Sequence, residues 1–275
     1  MYPDGLIKIN GEEYVTLYGL CIIVGIICCI FTLRFLGKKM NVNNKFIDSV
    51  ETLAYFAIFI GLISAALFQG LYNFIDGKGF SLNGGLTFIG GLIGGVVSFI
   101  GAYLIFRKKF TGRISDILPI APACIVVAHG FGRVGCFFAG CCGGIKTDSW
   151  LGIQFPGDSY KVYPTQLFEA IFLLTLFVVF FILVWKKKFR YSFPVYLLSY
   201  GVWRFLIEFI RGDYRGALIK GISPSQLWSI VMVVLAVPLY FFLKYLYKCR
   251  DKELLEIKEK EQEENAETLE IQNNI

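Results

Sequence analysis

Four stretches of this chain run about 20 residues without a charge, the length that crosses a bilayer as a helix. They are residues 14–33, 52–71, 86–106 and 222–243. Three more are apolar but interrupted. Residues 117–139 hold His129 and Arg133, 163–185 hold Glu169, and 192–210 hold Arg204 and Glu208. Seven spans follow, and with them an all-α integral membrane protein. Composition agrees: 56% of the 275 residues are apolar and 17% charged, against about 45–50% and about 25% in a soluble domain. A soluble enzyme, a nucleic-acid binder and a disordered chain are all disfavoured. The N-terminal MYPDG is polar and the first apolar run is too long for a signal-peptide core, so no cleavable signal is expected.

Short-loop Lys and Arg set orientation. Arg34, Lys38, Lys39 and Lys45 follow the first span, and Arg107, Lys108, Lys109 and Arg113 the third. Lys186, Lys187, Lys188 and Arg190 follow the fifth, and Lys244, Lys248, Arg250 and Lys252 the seventh. The alternate loops are poorer: Lys78; Lys146 and Lys161; then Arg211, Arg215 and Lys220. This puts the N-terminus outside and the C-terminus in the cytoplasm. Residues 1–249 form the membrane domain. Residues 250–275, rich in Glu and Lys, form a charged cytoplasmic tail, helical or disordered. The third span reads GGLTFIGGLIGG, a spacing that lets helices approach closely in lipid.

A charge at mid-bilayer costs about 2.5–3.5 kcal/mol on insertion scales, so intramembrane ionisable residues are functional candidates. Arg133, Glu169, Arg204 and Glu208 are the conspicuous ones. Arg204 and Glu208, spaced i, i+4, share a helix face, with Tyr200 one turn earlier and Arg211 at the end. They either neutralise each other or line a polar cavity. Arg133 lies in HGFGRVGCFFAGCCGG, where glycines permit close backbone approach. A guanidinium there suits a phosphate, which its planar fork can bind through two hydrogen bonds. Cys136, Cys141 and Cys142, with His129, raise a metal reading. The adjacent pair departs from the usual ligand spacing, and no metal or cofactor is assigned. A disulfide or a reactive thiol among the three stays open.

Five short motifs occur in order: YGL (18–20), GRVG (132–135), YPTQLFE (163–169), YGVWRFLIEFIR (200–211) and SPSQLWS (223–229). Together they resemble the prolipoprotein diacylglyceryl transferase family across residues 14–245. That resemblance implies transfer of an sn-1,2-diacylglyceryl group from phosphatidylglycerol to the lipobox Cys thiol of a lipoprotein precursor. Glycerol phosphate is released. It implies the bacterial cytoplasmic (inner) membrane, and a phospholipid and a precursor signal peptide as partners, without nucleic acid. By resemblance, Arg133 and Arg204 hold the phosphate, Glu208 orients Arg204, and Tyr18 and Tyr200 line the cavity. Cys136, Gln166, Glu169 and Arg211 complete the substrate-binding set.

Three departures stand out. The family usually has His in the third span where this chain has Ile89. Its N-F-x-N-G-E becomes Cys136-Phe137-Phe138-Ala139-Gly140-Cys141. Tyr163 stands where His is common. His129 or Cys141 is expected to supply the lost acid–base capacity, so both join the catalytic set; alternatively His129 has no catalytic part. The competing readings are a paralogous transferase with another donor or acceptor, and a non-enzymatic binder of anionic lipid.

Overall fold

The structure is a computed structural model and describes residues 7–9, 12–75, 77, 79–81, 87–212 and 222–273. Lys78, Arg215 and Lys220, three of the orienting loop charges, lie outside them, as does the side chain of Ile89. A small antiparallel hairpin opens the chain, β1 (Ile7–Ile9) with β2 (Glu12–Val15). Helices α1 (Leu17–Lys39), α2 (Asn44–Ile75) and α3 (Phe88–Phe106) follow, the last ending in a 3₁₀ turn at Arg107–Lys109. A single turn, α4 (Ile114–Ile117), precedes α5 (Ala121–Phe138). Two-residue strands β3 (Ile153–Gln154) and β4 (Lys161–Val162) pair in the next loop. Then come α6 (Thr165–Lys187), α7 (Ser192–Ile207) with a 3₁₀ turn at Glu208–Ile210, and α8 (Pro224–Asn273). Seven of these helices have the length and apolarity to cross a membrane.

The expected spans shift at their ends for physical reasons. Residues 14 and 15 belong to β2, so α1 starts at Leu17. Helix α2 begins eight residues before the uncharged run, because its polar first turns carry Asp48 and Glu51, which both accept from Arg34 Nη2 at 3.0 and 2.6 Å. The fourth span splits where Pro119 and Pro122 interrupt it; Pro122 sits in the first turn of α5, where its missing N–H leaves no bond unmade. Helix α8 continues unbroken past residue 250. The two hairpins are the only strands among the described residues and add little to an almost wholly helical chain.

The chain divides into two compact units: residues 33–116, and residues 1–32 with 117–275. In the first, α2 and α3 pack through small residues. A methyl on Gly61 would stand 3.0 Å from the Gly91 carbonyl, and one on Gly94 would collide with Ser64. Ser64 Oγ donates to the Gly90 carbonyl at 2.8 Å, and Thr87 Oγ1 to Gln69 Oε1 at 2.8 Å. This is the close approach that small residues permit between helices in lipid.

In the second unit, α1 meets α5 where Gly25 faces Ala128 and Phe131, and Gly135 faces Tyr18 and Cys21. Gly130 of α5 meets Leu173 and Leu174 of α6, and Gly201 of α7 meets Ser229 and Val233 of α8. Helix α8 is started by a reciprocal cap. The Gln226 amide N–H donates to Ser223 Oγ at 3.2 Å, and the Ser223 N–H donates to Gln226 Oε1 at 3.0 Å.

Candidate functional site

Glu169 lies one turn into α6 and is fully buried. A carboxylate out of water needs compensation on every side, and four residues supply it. Tyr200 of α7 donates its phenol to Oε1 at 2.8 Å. Arg133 Nε of α5 stands 3.1 Å from Oε2, and Arg211 Nη1, just past α7, stands 3.7 Å from it. His129 Nε2, one turn before Arg133, lies 3.9 Å from Oε1, and its ring meets Tyr200 edge-on with centroids 5.4 Å apart. Tyr200 in turn stacks on Tyr196.

Glu208 forms a second node. Its Oε2 accepts from Arg204 Nη1 at 2.7 Å, and its Oε1 accepts from Ser223 Oγ at 2.8 Å. Arg204 Nη2 donates to Ser225 Oγ at 2.9 Å. Arg211 Nε lies 3.8 Å from Glu208 Oε2 and so joins the two nodes. Arg204 and Arg211 are both buried.

The backbone brings these groups together. The last turn of α7 tightens to 3₁₀ at Glu208–Ile210, and Arg211 then becomes extended. It bridges to Gly144: the Ile145 N–H donates to the Ile210 carbonyl at 2.9 Å, and the Gly212 N–H to the Gly143 carbonyl at 3.3 Å. A side chain on Gly144 would collide with the Ile210 carbonyl and crowd Thr165. Tyr163 clips the other edge of this loop through its backbone, accepting from Gly144 N–H at 2.7 Å.

Hydrogen bonding does not close within the cluster. Three guanidiniums, of Arg133, Arg204 and Arg211, lie around the carboxylates of Glu169 and Glu208. Arg133 Nε and Glu169 Oε2 touch as charges without an aligned hydrogen bond, and Arg133 Nε has no hydrogen-bond partner among the described residues. Buried polar groups in proteins are ordinarily satisfied. A half-satisfied guanidinium suits an anionic ligand.

Cys136, Cys141 and Cys142 converge at the end of α5, their sulfurs all within 4.8 Å of one another. Gly140 (φ 70°) and Cys142 (φ 64°) adopt left-handed backbone and fold the chain back over Cys136. The Thr165 hydroxyl holds the Cys142 carbonyl at 2.9 Å, and Gln166 Nε2 holds the Cys141 carbonyl at 3.2 Å. Hydrogen bonds from the Cys136 and Cys141 thiols hold the Cys142 thiol well below its usual range, helped by the Arg211 and Arg133 charges. Cys141 moves the other way. The Cys136 hydrogen bond lowers it, but the hydrogen bond to Cys142, burial and the Cys142 charge together leave it raised.

The sequence-predicted residues therefore fall into groups. Arg133, His129, Glu169, Tyr200 and Arg211 meet around one carboxylate, and Arg204 and Glu208 adjoin them through Arg211. Cys136 and Cys141 belong to the thiol cluster. Tyr18, half exposed on α1, packs on Gly135 within electrostatic reach of the three thiols and Arg133. Gln166 is fully buried and its amide holds the loop backbone, so it acts through Cys141. Sequence reasoning missed Ser223 and Ser225, which grip Glu208 and Arg204. Their signal was the S-x-x-Q capping pattern of SPSQLWS, which fixes a helix start beside the charged face.

Comparison with known proteins bears on this arrangement. The family model "Prolipoprotein diacylglyceryl transferase" matches residues 4–242. A phosphatidylglycerol–prolipoprotein diacylglyceryl transferase of Clostridium tetani (strain Massachusetts / E88) is 31% identical over 236 residues, 80% of this chain and 90% of that protein. The phosphatidylglycerol–prolipoprotein diacylglyceryl transferase 2 of Clostridium perfringens (strain 13 / Type A) is 31% identical over 241 residues, covering 81% and 89%. The corresponding transferase of Dehalococcoides mccartyi (strain ATCC BAA-2266 / KCTC 15142 / 195) is 30% identical over 259 residues, covering 88% and 94%.

Proposed function

We propose that this chain, which belongs to the prolipoprotein diacylglyceryl transferase family, moves sn-1,2-diacylglyceryl from phosphatidylglycerol to the lipobox Cys thiol of a lipoprotein precursor. The observation that carries the reading is the buried Nε of Arg133, which has no hydrogen-bond partner among the described residues and offers a phosphodiester a donor within the charged cluster. The relatives named above are transferases for that donor and acceptor, which supports the same pair here.

In this mechanism the acceptor sulfur bonds to the terminal glyceryl carbon while the bond from that carbon to the phosphate oxygen breaks. The electron pair leaves with glycerol phosphate. Arg133 and Arg204 hold the departing phosphate, where the growing charge gains most from fixed donors. Glu208 and Ser225 fix Arg204 from two sides, so it needs no reorientation when charge develops. His129 takes the thiol proton. Its Nε2 lies 3.9 Å from the Glu169 carboxylate, the anion beside the imidazolium that forms. The geometry favours His129 over Cys141 for this step, because His129 lies within the charged cluster whereas Cys141 is exposed. Tyr18 and Cys136 line the approach. Tyr200, Arg211, Glu169 and Gln166 position the other groups.

Loop charge supports the side on which this happens. With the N-terminus outside and the C-terminus in the cytoplasm, the late part of α5 and the start of α6 lie toward the outer face. The end of α7 and the start of α8 lie there too. Arg133, Glu169, Glu208 and Ser225 occupy those four positions. A bacterial cytoplasmic membrane would present both the phospholipid and a secreted precursor's thiol there. The segment from residue 250 serves as a charged cytoplasmic tail outside the transferase domain. A second reading, a paralogue with another donor or acceptor, draws on Cys136, Ala139 and Cys141 standing where the family usually has Asn and Glu.

Complementation decides between them. Expression of this chain in cells depleted of their own diacylglyceryl transferase should restore lipoprotein modification. Full-length chain in the membrane without rescue would refute the proposed donor–acceptor pair.

A further inference from the structure

We propose that Cys136, Cys141 and Cys142 form a three-thiolate site for a thiophilic divalent cation of the Zn²⁺ class, with water in the fourth position. Three observations converge on it. First, the sulfurs are already gathered. With Zn–S bonds of about 2.3 Å, tetrahedral ligand sulfurs stand roughly 3.8 Å apart. Three sulfurs within 4.8 Å of one another reach that spacing by small side-chain adjustments. The adjacent pair, a poor match to the usual spacing along a regular chain, works here because left-handed backbone at Gly140 and Cys142 doubles the loop back.

Second, the ligands are held from behind. The Thr165 hydroxyl and the Gln166 amide, both from fully buried residues of α6, fix the carbonyls of Cys142 and Cys141. The Cys136 carbonyl accepts from the Cys141 backbone N–H at 3.2 Å. Supports of this kind orient the ligands of a metal site.

Third, access and charge fit. Cys141 is exposed while Cys136 and Cys142 are half-buried, so the site opens to solvent on one side. A divalent ion with three thiolates carries one negative charge, and two cations lie nearby: Arg133, one turn before Cys136 on α5, and Arg211, whose backbone bridges to Gly144 two residues past Cys142. The single His of the chain is not a ligand; its imidazole lies against Tyr200 and Glu169. The bound ion would clasp the end of α5 to the loop in which Gly144 bridges to Arg211. The site does not depend on the transferase reading, since an inactive chain would still bind.

Cobalt is the direct probe. The full chain, purified reduced in detergent and stripped with a chelator, is titrated with Co²⁺ and then Zn²⁺. The expected result is one equivalent of Co²⁺ with an intense thiolate-to-cobalt charge-transfer band and tetrahedral d–d bands, abolished by one equivalent of Zn²⁺. C136S and C142S should each weaken Zn²⁺ binding by at least about tenfold, the loss that even supporting residues cause. Cys141→Ser, at the exposed position, gives a variant whose folding is least at risk, and it should show the same loss. The five other cysteines, Cys21, Cys28, Cys29, Cys124 and Cys249, remain in all three variants as a control. Absence of the charge-transfer band would overturn the proposal. So would Zn²⁺ affinity unchanged in C141S, or mass spectrometry showing two of the three thiols joined as a disulfide in protein isolated from membranes without reductant.

Discussion

The seam between α2 and α3 and the cluster around Glu169 solve the same problem in opposite ways. Both place polar atoms between helices of a membrane chain. In the seam the polar side chains of Ser64 and Thr87 find nearby partners: Ser64 reaches the Gly90 carbonyl and Thr87 reaches Gln69. Small residues bring the backbones close. The cluster holds five charged groups and leaves at least one buried donor over, the Nε of Arg133. A scaffold interface ends with its polar groups satisfied; a binding site ends with a remainder that matches its ligand. That distinction separates the glycine-rich third span, whose small residues serve packing, from Arg133 and its neighbours.

The comparison can be broken by substitution. Arg133→Ala removes the orphaned donor. Transfer measured as glycerol phosphate release should fall by about a hundred- to a thousandfold, the loss seen when one transition-state donor is removed, with the protein still folded. Arg204→Ala should match it. Full activity in either would mean that the remainder is not a phosphate site. Glu169→Gln leaves the Arg133 and Arg211 guanidiniums facing a neutral amide. Removing one partner of a buried pair costs about 3–5 kcal/mol, so thermal unfolding should shift down strongly, and E169Q/R211Q should recover part of the shift.

A substitution in the seam should behave differently. Gly94→Leu drives a side chain into Ser64 and should cost about 1–3 kcal/mol of stability, as overpacking does. Folded yield should drop while turnover per folded molecule changes little. A specific loss of turnover with normal folding would erase the contrast between the regions. The smallest effect concerns the thiols. An ordinary thiol with a pKa of about 8.5 loses its anion as pH falls below that value. Cys142 has its pKa depressed by the Cys136 and Cys141 hydrogen bonds and by two arginines, so its anion persists. Iodoacetamide should therefore alkylate Cys142 with little slowing at mildly acidic pH, while a small free thiol in the same buffer slows. Equal slowing of both would count against the thiolate.

Seven spans were legible in the sequence because uninterrupted apolar length is a one-dimensional property. Helix ends were not. The uncharged run starts at residue 52, yet α2 begins at Asn44, its first turns carrying Asp48 and Glu51 paired with Arg34. The two-residue strands of the loop before α6 are too short to leave a pattern. Within the cluster, i, i+4 spacing showed that Tyr200, Arg204 and Glu208 share a face. It could not show which helix that face meets, so the position of Glu169 between Arg133, Arg211 and Tyr200 emerges only in three dimensions. Ser225 was hidden for the same reason. The convergence of Cys136, Cys141 and Cys142 depends on two left-handed residues, one of them a cysteine, which spacing arguments treat as ordinary chain.

The central claim is that Arg133 and Arg204 hold the phosphate of a phospholipid whose diacylglyceryl group passes to a thiol. The most direct measurement reconstitutes the full chain in phosphatidylglycerol vesicles with a lipobox peptide and follows both products by mass spectrometry. The account predicts that the peptide gains one diacylglyceryl group for each glycerol phosphate released, and that neither product forms when the peptide Cys is replaced by Ser. Glycerol phosphate released without a thiol acceptor, or an unmodified peptide alongside bound phosphatidylglycerol, would contradict it.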